Sequence, residues 1–194
     1  MTQLSVGFAM SGSFCTFDRV LMQVKELVGM GMEVTPILSF NASTLDTRFG
    51  KAEDFRRRLI ELTGRDPMTT LTDVEPIGPK GLFDVLVVAP CTGTTLGRLA
   101  NGLSDSPVSL AVKSHLRRSR PVVLAVSTND ALAGAAENIG KLLGRKNYYF
   151  VPFRQDSWEN KPTSLVADFS LIPNAVEKAI NGQQLQPILL AGNP

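Results

Sequence analysis

A hydroxyl-rich turn separates an aliphatic run from a helical pattern in the segment 84–107. The aliphatic run shows no polar alternation, which is typical of a strand buried on both faces. Gly93 lets the backbone of the turn approach a ligand closely. The hydroxyls of the turn belong to Thr92, Thr94 and Thr95. Because a helix start favours anions, the segment is a candidate phosphate-binding turn; the alternative is that Thr92 or Thr94 only caps the helix.

Two more turns of small and hydroxyl residues follow predicted strands, at 11–14 and 127–130. Ligands of open α/β sheets bind beyond the carboxyl ends of the strands, where all three turns would lie. The first turn has neither the Gly-x-Gly-x-x-Gly of a dinucleotide site nor the Gly-Lys-Ser/Thr of a triphosphate loop, which favours a mononucleotide or a flavin phosphate. Such residues also occur at strand-to-helix junctions for structural reasons, so the prediction rests on the three turns together.

Alternating strand and helix patterns must position these turns. Strands are predicted at 4–10, 33–38, 84–89, 121–126 and 148–151. Helices are predicted at 17–28, 51–63, 96–103, 108–118, 130–143 and 164–180. The segments 40–50 and 66–81 are predicted to be mostly turn and loop. This order predicts a three-layer, doubly wound α/β fold with a mostly parallel sheet.

The composition indicates one soluble domain over residues 1–194. Hydrophobic residues make up 43% and charged residues 20%, and the net charge of +2 favours neither nucleic acid nor a membrane surface as a partner. With no apolar run of about 20 residues and no leader pattern, a cytoplasmic location is expected. Cys15 and Cys91 lack metal-ligand spacing, so no metal site is predicted. The apolar tail at about 183–194 is expected to be extended and to pack on a neighbouring chain.

Longer strings of the sequence resemble the family of dipicolinate synthase B subunits. They are the Gly12-Ser13 turn, FNAST with TRFG at 47–50, EPIGPK, APCTGTTLGRLANGLSDSPV, RPVVLAVSTNDAL and QLQPILL, and they extend from about 6 to 190. That family resembles the wider group of homo-oligomeric flavin-containing cysteine decarboxylases, whose members bind FMN between strand ends and a neighbouring subunit. The resemblance implies a flavoprotein (Rossmann-like) fold, an FMN site and a closed homo-oligomer.

Three motifs of the wider group correspond to the three turns. Gly12 and Ser13 match its first motif, a Gly-Ser whose hydroxyl contacts the flavin phosphate. Its Pro-Ala-Ser-Ala-Asn-Thr turn corresponds to PCTGTT at 90–95, and of its Pro-x-Met-Asn-x-x-Met motif only Asn129 is retained. The resemblance therefore implies cofactor contacts from Gly12, Ser13, Phe14, Pro90, Thr92, Gly93, Thr94, Thr95 and Asn129.

No residue is assigned a catalytic role. The wider group uses a histidine near the flavin, whereas His115 is predicted to lie on a helix away from the strand ends, on the surface or partly packed, so decarboxylation is not inferred. Cys91 is predicted to be either a thiol with a lowered pKa or a small buried side chain. Arg48 is a candidate for a substrate carboxylate or a surface ion pair. Asp105 and Asp130 are candidate helix caps as much as site residues.

The resemblance implies an oxidoreductase subunit that helps to form dipicolinic acid from a dihydrodipicolinate-type precursor, in the mother cell of a sporulating bacterium. The partner would be a dehydrogenase-like A subunit with NADPH or NADP, and the substrate a small dicarboxylate. Because Thr94 replaces an asparagine and both methionines of the third motif are lost, a non-catalytic partner that stabilises or feeds the A subunit is the alternative. A third hypothesis is an FMN-dependent enzyme that acts without the A subunit.

Overall fold

A seven-stranded sheet forms the centre of the computed structural model, which describes residues 3–192. Five strands are parallel, in the order β2-β1-β3-β4-β5, and β6 and β7 form a short antiparallel extension on the carboxyl end of β4. The strands are β1 (Ser5–Met10), β2 (Glu33–Leu38), β3 (Val85–Cys91), β4 (Val122–Thr128), β5 (Tyr148–Phe150), β6 (Phe153–Gln155) and β7 (Leu165–Ala167).

Helices cover both faces of the sheet. They are α1 (Phe17–Gly29), α2 (Phe40–Thr44), α3 (Ala52–Thr63), α4 (Leu71–Val74), α5 (Ile77–Lys80), α6 (Gly93–Ala100), α7 (Pro107–Leu116), α8 (Ala136–Leu143) and α9 (Ile172–Ile180). On one face α1 packs against α9, and on the other α6 packs against α7 and α8. All seven residues of β3 are buried, as the unbroken aliphatic run predicts for a central strand. The doubly wound α/β fold with a mostly parallel sheet is confirmed. No helix within residues 3–192 has the length and apolar character of a membrane span.

Two central strands are longer than predicted. β3 continues through Pro90 and Cys91, and its register with β4 shifts between Val88 and Cys91. Proline has no N–H to donate, so it fits a strand at such an irregularity. β4 continues through Ser127 and Thr128 because β7 pairs with these two residues. The turns therefore begin one or more residues later than the aliphatic runs suggest.

Several predicted helices and loops differ from the structure. The predicted helix at 164–180 contains β7, a 3₁₀ turn at Phe169–Leu171 and then α9, and the one at 130–143 becomes helical only at Ala136. The segment 66–81 contains α4 and α5. Reciprocal bonds between Thr70 and Asp73 begin α4, a capping box that the neighbouring prolines obscured. The segment 40–50 contains α2, which the Ser39 hydroxyl caps by accepting from Ala42 N at 3.2 Å.

Within the described residues, the tail after Gln183 forms hydrogen bonds with the segment 150–153 of its own chain. Leu190 N donates to Phe153 O and Phe153 N donates to Ile188 O, both at 3.0 Å. The amide side chain of Gln184 bonds the N and O of Phe150 at 2.7 and 2.6 Å. Leu189 nevertheless remains 67% exposed. Packing of this tail on a neighbouring chain stays a prediction.

Two candidate polar residues, Arg48 and Asp105, make contacts that the sequence did not predict. The Arg48 guanidinium stacks 4.8 Å from the Phe49 ring centroid, and no carboxylate of the described residues pairs with it. Asp105 accepts from Arg98 Nε at 2.8 Å, while Ser106 is the residue that caps α7. The Asp105 carboxylate therefore holds the end of α6 near the start of α7 and caps neither helix.

His115 is buried, which corrects its prediction as a surface or partly packed residue. Its side chain is 1% exposed, and Nε2 lies 3.0 Å from Pro121 O, to which it donates. Burial lowers the pKa of His115 to about 4 because the charged ring would lose its hydration. Pro121 precedes β4, so His115 lies at the amino end of the sheet, away from the three turns, as predicted.

The pKa of His115 predicts a loss of stability in acid. The unfolded chain binds this proton near pH 6.5 and the folded chain only near pH 4, so the contribution of the neutral ring is complete above 6.5 and is lost as the pH falls towards 4. We expect the free energy of unfolding to fall by about 3 kcal/mol over this window. Urea titrations of the wild type and of His115→Gln measure it. An equally steep pH dependence in His115→Gln would contradict this assignment.

Candidate functional site

The three predicted turns meet at the carboxyl ends of β1, β3 and β4, around a cleft of about 520 Å³. The parallel order of these strands brings together side chains that are more than 100 residues apart in the chain. Six of the nine predicted cofactor contacts line the cleft: Gly12, Ser13, Thr92, Gly93, Thr94 and Asn129. A volume of this size falls within the range of about 300–1,000 Å³ that is usual for small-molecule sites.

Ser11 ties the first turn to the second. Its buried hydroxyl donates to Pro90 O at 2.6 Å and accepts from Thr92 N at 3.1 Å. The Ser11 backbone N also donates to Pro90 O, at 3.3 Å. These bonds fix the start of the turn after β3 relative to the end of β1. Ser11 belongs to the predicted first turn, but its role as the link between turns depends on sheet order and could not be assigned from sequence.

The hydroxyls of Ser13 and Thr92 have different local partners. Ser13 makes no side-chain cap to the 3₁₀ turn at Phe14–Thr16, and its Oγ lies 3.0 Å from Ser127 Oγ on the third turn. Thr92 is the N-cap of α6, where its Oγ1 accepts from Thr95 N at 3.4 Å. Thr92, and not Thr94, is therefore the cap of α6; whether Thr92 also contacts a ligand stays a prediction. Thr92 also lines the cleft, so its cap and a ligand contact are compatible.

Gly93 begins α6 where two polar side chains approach its backbone. A Cβ at this position would lie 2.8 Å from Thr128 Oγ1 and 2.8 Å from Asp130 Oδ1. Thr128 in turn donates its hydroxyl proton to the Asp130 carboxylate. The third turn can therefore pack closely against the start of α6 only because Gly93 has no side chain. Asp130 makes this contact with its side chain and does not cap α8, which begins at Ala136.

The other predicted contacts occupy different positions. Thr95 lines a neighbouring cleft of about 210 Å³, which also contains Thr94 and Asn41. Phe14 packs on Phe17, with ring centroids 5.1 Å apart, and it lines neither cleft. Pro90 is buried in β3. Phe14 and Pro90 thus support the first two turns from behind, and direct contact with a ligand stays a prediction for them.

Two cations of the cleft were not found from the sequence. Arg19, on α1, lies 5.0 Å from the Phe169 ring centroid and pairs with no carboxylate of residues 3–192. Lys161 reaches the cleft from the segment between β6 and β7 and pairs with Asp156 at 2.7 Å, which raises the pKa of Lys161. No local pattern marks Lys161, because β6 and β7 were not predicted. Arg19 could have been found from the sequence, because it lies in the first turn of the predicted first helix, six residues after Ser13.

The two cysteines have opposite environments. Cys91 is fully buried in β3, and burial raises the pKa of its thiol. The alternative of a reactive Cys91 with a lowered pKa is therefore wrong. Cys15 is exposed on the cleft lining, with Sγ 4.0 Å from Ser13 Oγ.

This difference predicts selective thiol reactivity. In the folded protein at neutral pH we expect a disulfide reagent to modify only Cys15, because the Cys91 thiol is both inaccessible and protonated. Both thiols should react after denaturation. Counting the released chromophore for the wild type and for Cys15→Ser measures the effect. Rapid modification of folded Cys15→Ser would show that Cys91 is accessible.

Among residues 3–192, no group of three or more His, Cys, Asp and Glu side chains is arranged as a metal site. Two carboxylates of the cleft are paired, Asp130 with the Thr128 hydroxyl and Asp156 with Lys161. The groups that could hold a ligand are neutral hydroxyls, backbone N–H groups at the start of α6, and the cations of Arg19 and Lys161. This set suits an oxyanion such as a phosphate monoester.

Comparisons with known proteins agree with this geometry. A family model described as "Flavoprotein" matches residues 1–152. The B subunit of dipicolinate synthase from Bacillus subtilis is 44% identical over 185 residues, which cover 95% of this chain and 92% of that protein. The crystal structure of the corresponding B subunit from Bacillus halodurans superposes with a TM-score of 0.90 at 40% identity, covering all of both chains. The FMN-dependent cysteine decarboxylase SpaF shares the fold, with a TM-score of 0.69 at 23% identity over 91% of this chain and 97% of that one.

Proposed function

The chain belongs to the flavoprotein family, within the dipicolinate synthase B subunits, and on that premise we propose that it is the flavin-binding subunit of a dipicolinate synthase. One observation carries the proposal. Three strand ends bring glycines, hydroxyls and a helix start into one cleft, with no carboxylate bound to the Arg19 guanidinium among residues 3–192.

The residues of the cleft fit the phosphate of FMN. Ser13 and Thr92 supply hydroxyl donors, and the start of α6 at Gly93 supplies backbone N–H groups and a partial positive charge. Because Gly93 has no side chain, Thr128 and Asp130 pack directly against its backbone, and the start of α6 lies at the cleft beside the third turn. Under this proposal Asn129 and Thr94 contact the remainder of the cofactor.

The proposed substrate is a small cyclic dicarboxylate, as the product name of the relatives indicates. Bound FMN would supply a two-electron acceptor for the oxidation of a dihydropyridine ring. Arg19, from α1, and Lys161, from the segment between β6 and β7, line the same cleft, and we assign to them the binding of substrate carboxylates. Lys161 would exchange its exposed partner Asp156 for the substrate, at small cost because such surface ion pairs contribute only about 0–1 kcal/mol.

The proposal includes the wider setting of the reaction. The name of the relatives supports a partner A subunit, for which we propose a dehydrogenase-like chain with NADPH or NADP. The same name supports a role in sporulation, in the mother-cell cytoplasm. We also propose a closed homo-oligomer in which a neighbouring copy covers the open side of the FMN cleft.

A second candidate function is a partner without chemistry of its own, and one observation favours it. The single histidine, His115, is buried at the far end of the sheet, so within the described residues the cleft has no imidazole to move a proton. A chain that keeps the fold but only stabilises or feeds the A subunit needs none.

Reconstitution with the A subunit separates the two functions. The flavin-free chain, the same chain with FMN restored, and buffer are each added to purified A subunit, and the FMN-restored chain is also assayed alone. Dipicolinate formation is followed by its absorbance. Our proposal predicts that the rate rises only with the FMN-restored chain. Equal stimulation by the flavin-free chain would support the non-catalytic partner, and full activity of the chain without the A subunit would support an independent enzyme.

A further inference from the structure

A second, apolar cleft of about 260 Å³ lies at the other end of α6 from the FMN cleft. It is enclosed by the carboxyl end of α6, by one side of α7 and by the segment between α8 and β5. Its walls are aliphatic, contributed by Leu99, Leu103, Val112 and Leu116. Because α6 has eight residues, about 12 Å of helix separates the two clefts. Leu103 is 54% exposed, so part of this apolar surface faces solvent.

Three cations line this apolar cleft: Lys113, Arg145 and Lys146. Its lining contains no carboxylate. None of them forms an ion pair with the described residues, although acidic and basic residues are nearly balanced in the whole chain. Arg145 donates to Leu99 O at 3.1 Å and to Ala100 O at 2.7 Å, which uses two of its five N–H groups and fixes the guanidinium at the cleft. Lys113 Nζ has one weak contact, with Ser104 Oγ at 3.3 Å.

Tyr148 adds an aromatic wall and a hydrogen-bond donor. The ring is partly buried, and its hydroxyl has no hydrogen-bond partner among residues 3–192. Burial raises the pKa of Tyr148 to about 12, so the phenol stays protonated at neutral pH and can donate to an anion. The cleft therefore combines aliphatic walls, one aromatic ring, a neutral hydroxyl donor and three positively charged donors.

We propose that this second cleft binds a small aromatic carboxylate, with its ring between the aliphatic walls and Tyr148 and its carboxylate against Lys113, Arg145 and Lys146. An apolar pocket with a few convergent polar groups is the usual form of a small-molecule site. The volume of the cleft suits a ligand of one or two rings. The three cations favour an anion over a neutral molecule of the same shape.

Titration calorimetry with 2-naphthoate on the full chain at neutral pH tests the proposal. We expect saturable binding, and binding about tenfold weaker for 2-naphthylmethanol, which keeps the ring system and lacks the charge. Lys113→Ala with Lys146→Ala in one chain should weaken 2-naphthoate about tenfold, because two of the three positive charges of the cleft are lost. Both lysines are exposed, so the double variant should fold. Lys25→Ala is the matched control: this exposed lysine lies on α1, outside the cleft, and its loss should leave the affinity unchanged.

The same titration on FMN-saturated protein separates the second cleft from the first. We expect 2-naphthoate to bind with equal affinity in the presence and absence of FMN. Because the two clefts are separate, this result does not depend on whether the chain binds FMN. Three results would overturn the proposal: no saturable binding of 2-naphthoate, equal affinity for the alcohol and the carboxylate, or no loss of affinity in the double lysine variant. Competition between FMN and 2-naphthoate would also overturn it, because the probe would then occupy the FMN cleft.

Discussion

Gly93→Ala should weaken FMN binding about 30-fold while the chain remains folded. The new Cβ would lie 2.8 Å from both Thr128 Oγ1 and Asp130 Oδ1, so the first turn of α6 or the third turn must move. Both are parts of the proposed phosphate site, and a displacement there removes donors from the phosphate. Overpacking of this kind typically costs about 1–3 kcal/mol. Fluorescence quenching of FMN on titration with protein measures the dissociation constant.

Gly97→Ala is the matched control for this substitution. It makes the same chemical change one helical turn later on α6, where the new Cβ meets only Asn138 Nδ2 at 3.7 Å, an ordinary contact. Because alanine favours a helix interior by about 1 kcal/mol over glycine, Gly97→Ala should bind FMN normally and unfold no more easily than the wild type. If Gly93→Ala binds FMN as well as Gly97→Ala does, the phosphate does not lie at the start of α6.

Gly78→Ala should lower the free energy of unfolding by more than about 3 kcal/mol. Gly78 lies in α5 against the backbone of α7, where a Cβ would be 2.2 Å from Ser114 O. Backbone cannot move aside as the end of a flexible side chain can. The displacement would also break the bonds from Gly78 N to Ser114 Oγ at 2.8 Å and from Arg118 Nε to Gly78 O at 2.9 Å. Urea denaturation followed by circular dichroism measures the effect.

Gly140→Ala is the control for stability. Gly140 is exposed on α8, and nothing lies within 4 Å of a Cβ built there. We expect this variant to be equal to the wild type or more stable by up to about 1 kcal/mol. If Gly78→Ala does not fold under conditions where Gly140→Ala folds, the loss of stability is larger than the whole free energy of unfolding, and the prediction is confirmed. A loss below about 1 kcal/mol for Gly78→Ala would mean that α5 is free to move away from α7.

Local patterns were sufficient for the elements that carry the site. β2 was predicted with its observed bounds. A helix capped by Thr92 or Thr94 was expected after the hydroxyl-rich turn, but its apolar spacing put it at 96–103, three residues later than α6 at Gly93–Ala100. The rule that ligands bind at the carboxyl ends of parallel strands then brought three distant turns together. These predictions rely on periodicity and on preferences of single residues, which are properties of short segments.

Features that depend on pairing between distant segments were not predictable. Leu165, Val166 and Ala167 continue an apolar pattern that resembles a helix, and they form a strand because the end of β4 is available to pair with them. That pairing also brings Lys161 to the cleft. The burial of His115 likewise depends on the packing of α7 against β2 and β3 and on the position of Pro121 O, which the flanking Leu116 and Arg117 do not reveal.

Titration of the purified, flavin-free chain with FMN tests the central claim most directly, with Ser13→Ala and Thr92→Val beside the wild type. We predict saturable binding that each substitution weakens about tenfold, because each removes a hydroxyl donor from the phosphate. Thr70→Val is the control, because Thr70 caps α4 outside the cleft. Loss of this cap should lower the free energy of unfolding by about 1 kcal/mol, as loss of the Thr92 cap does, and should leave FMN affinity unchanged. Absence of FMN binding by the wild type, or equal binding by all four proteins, would contradict a flavin site in this cleft.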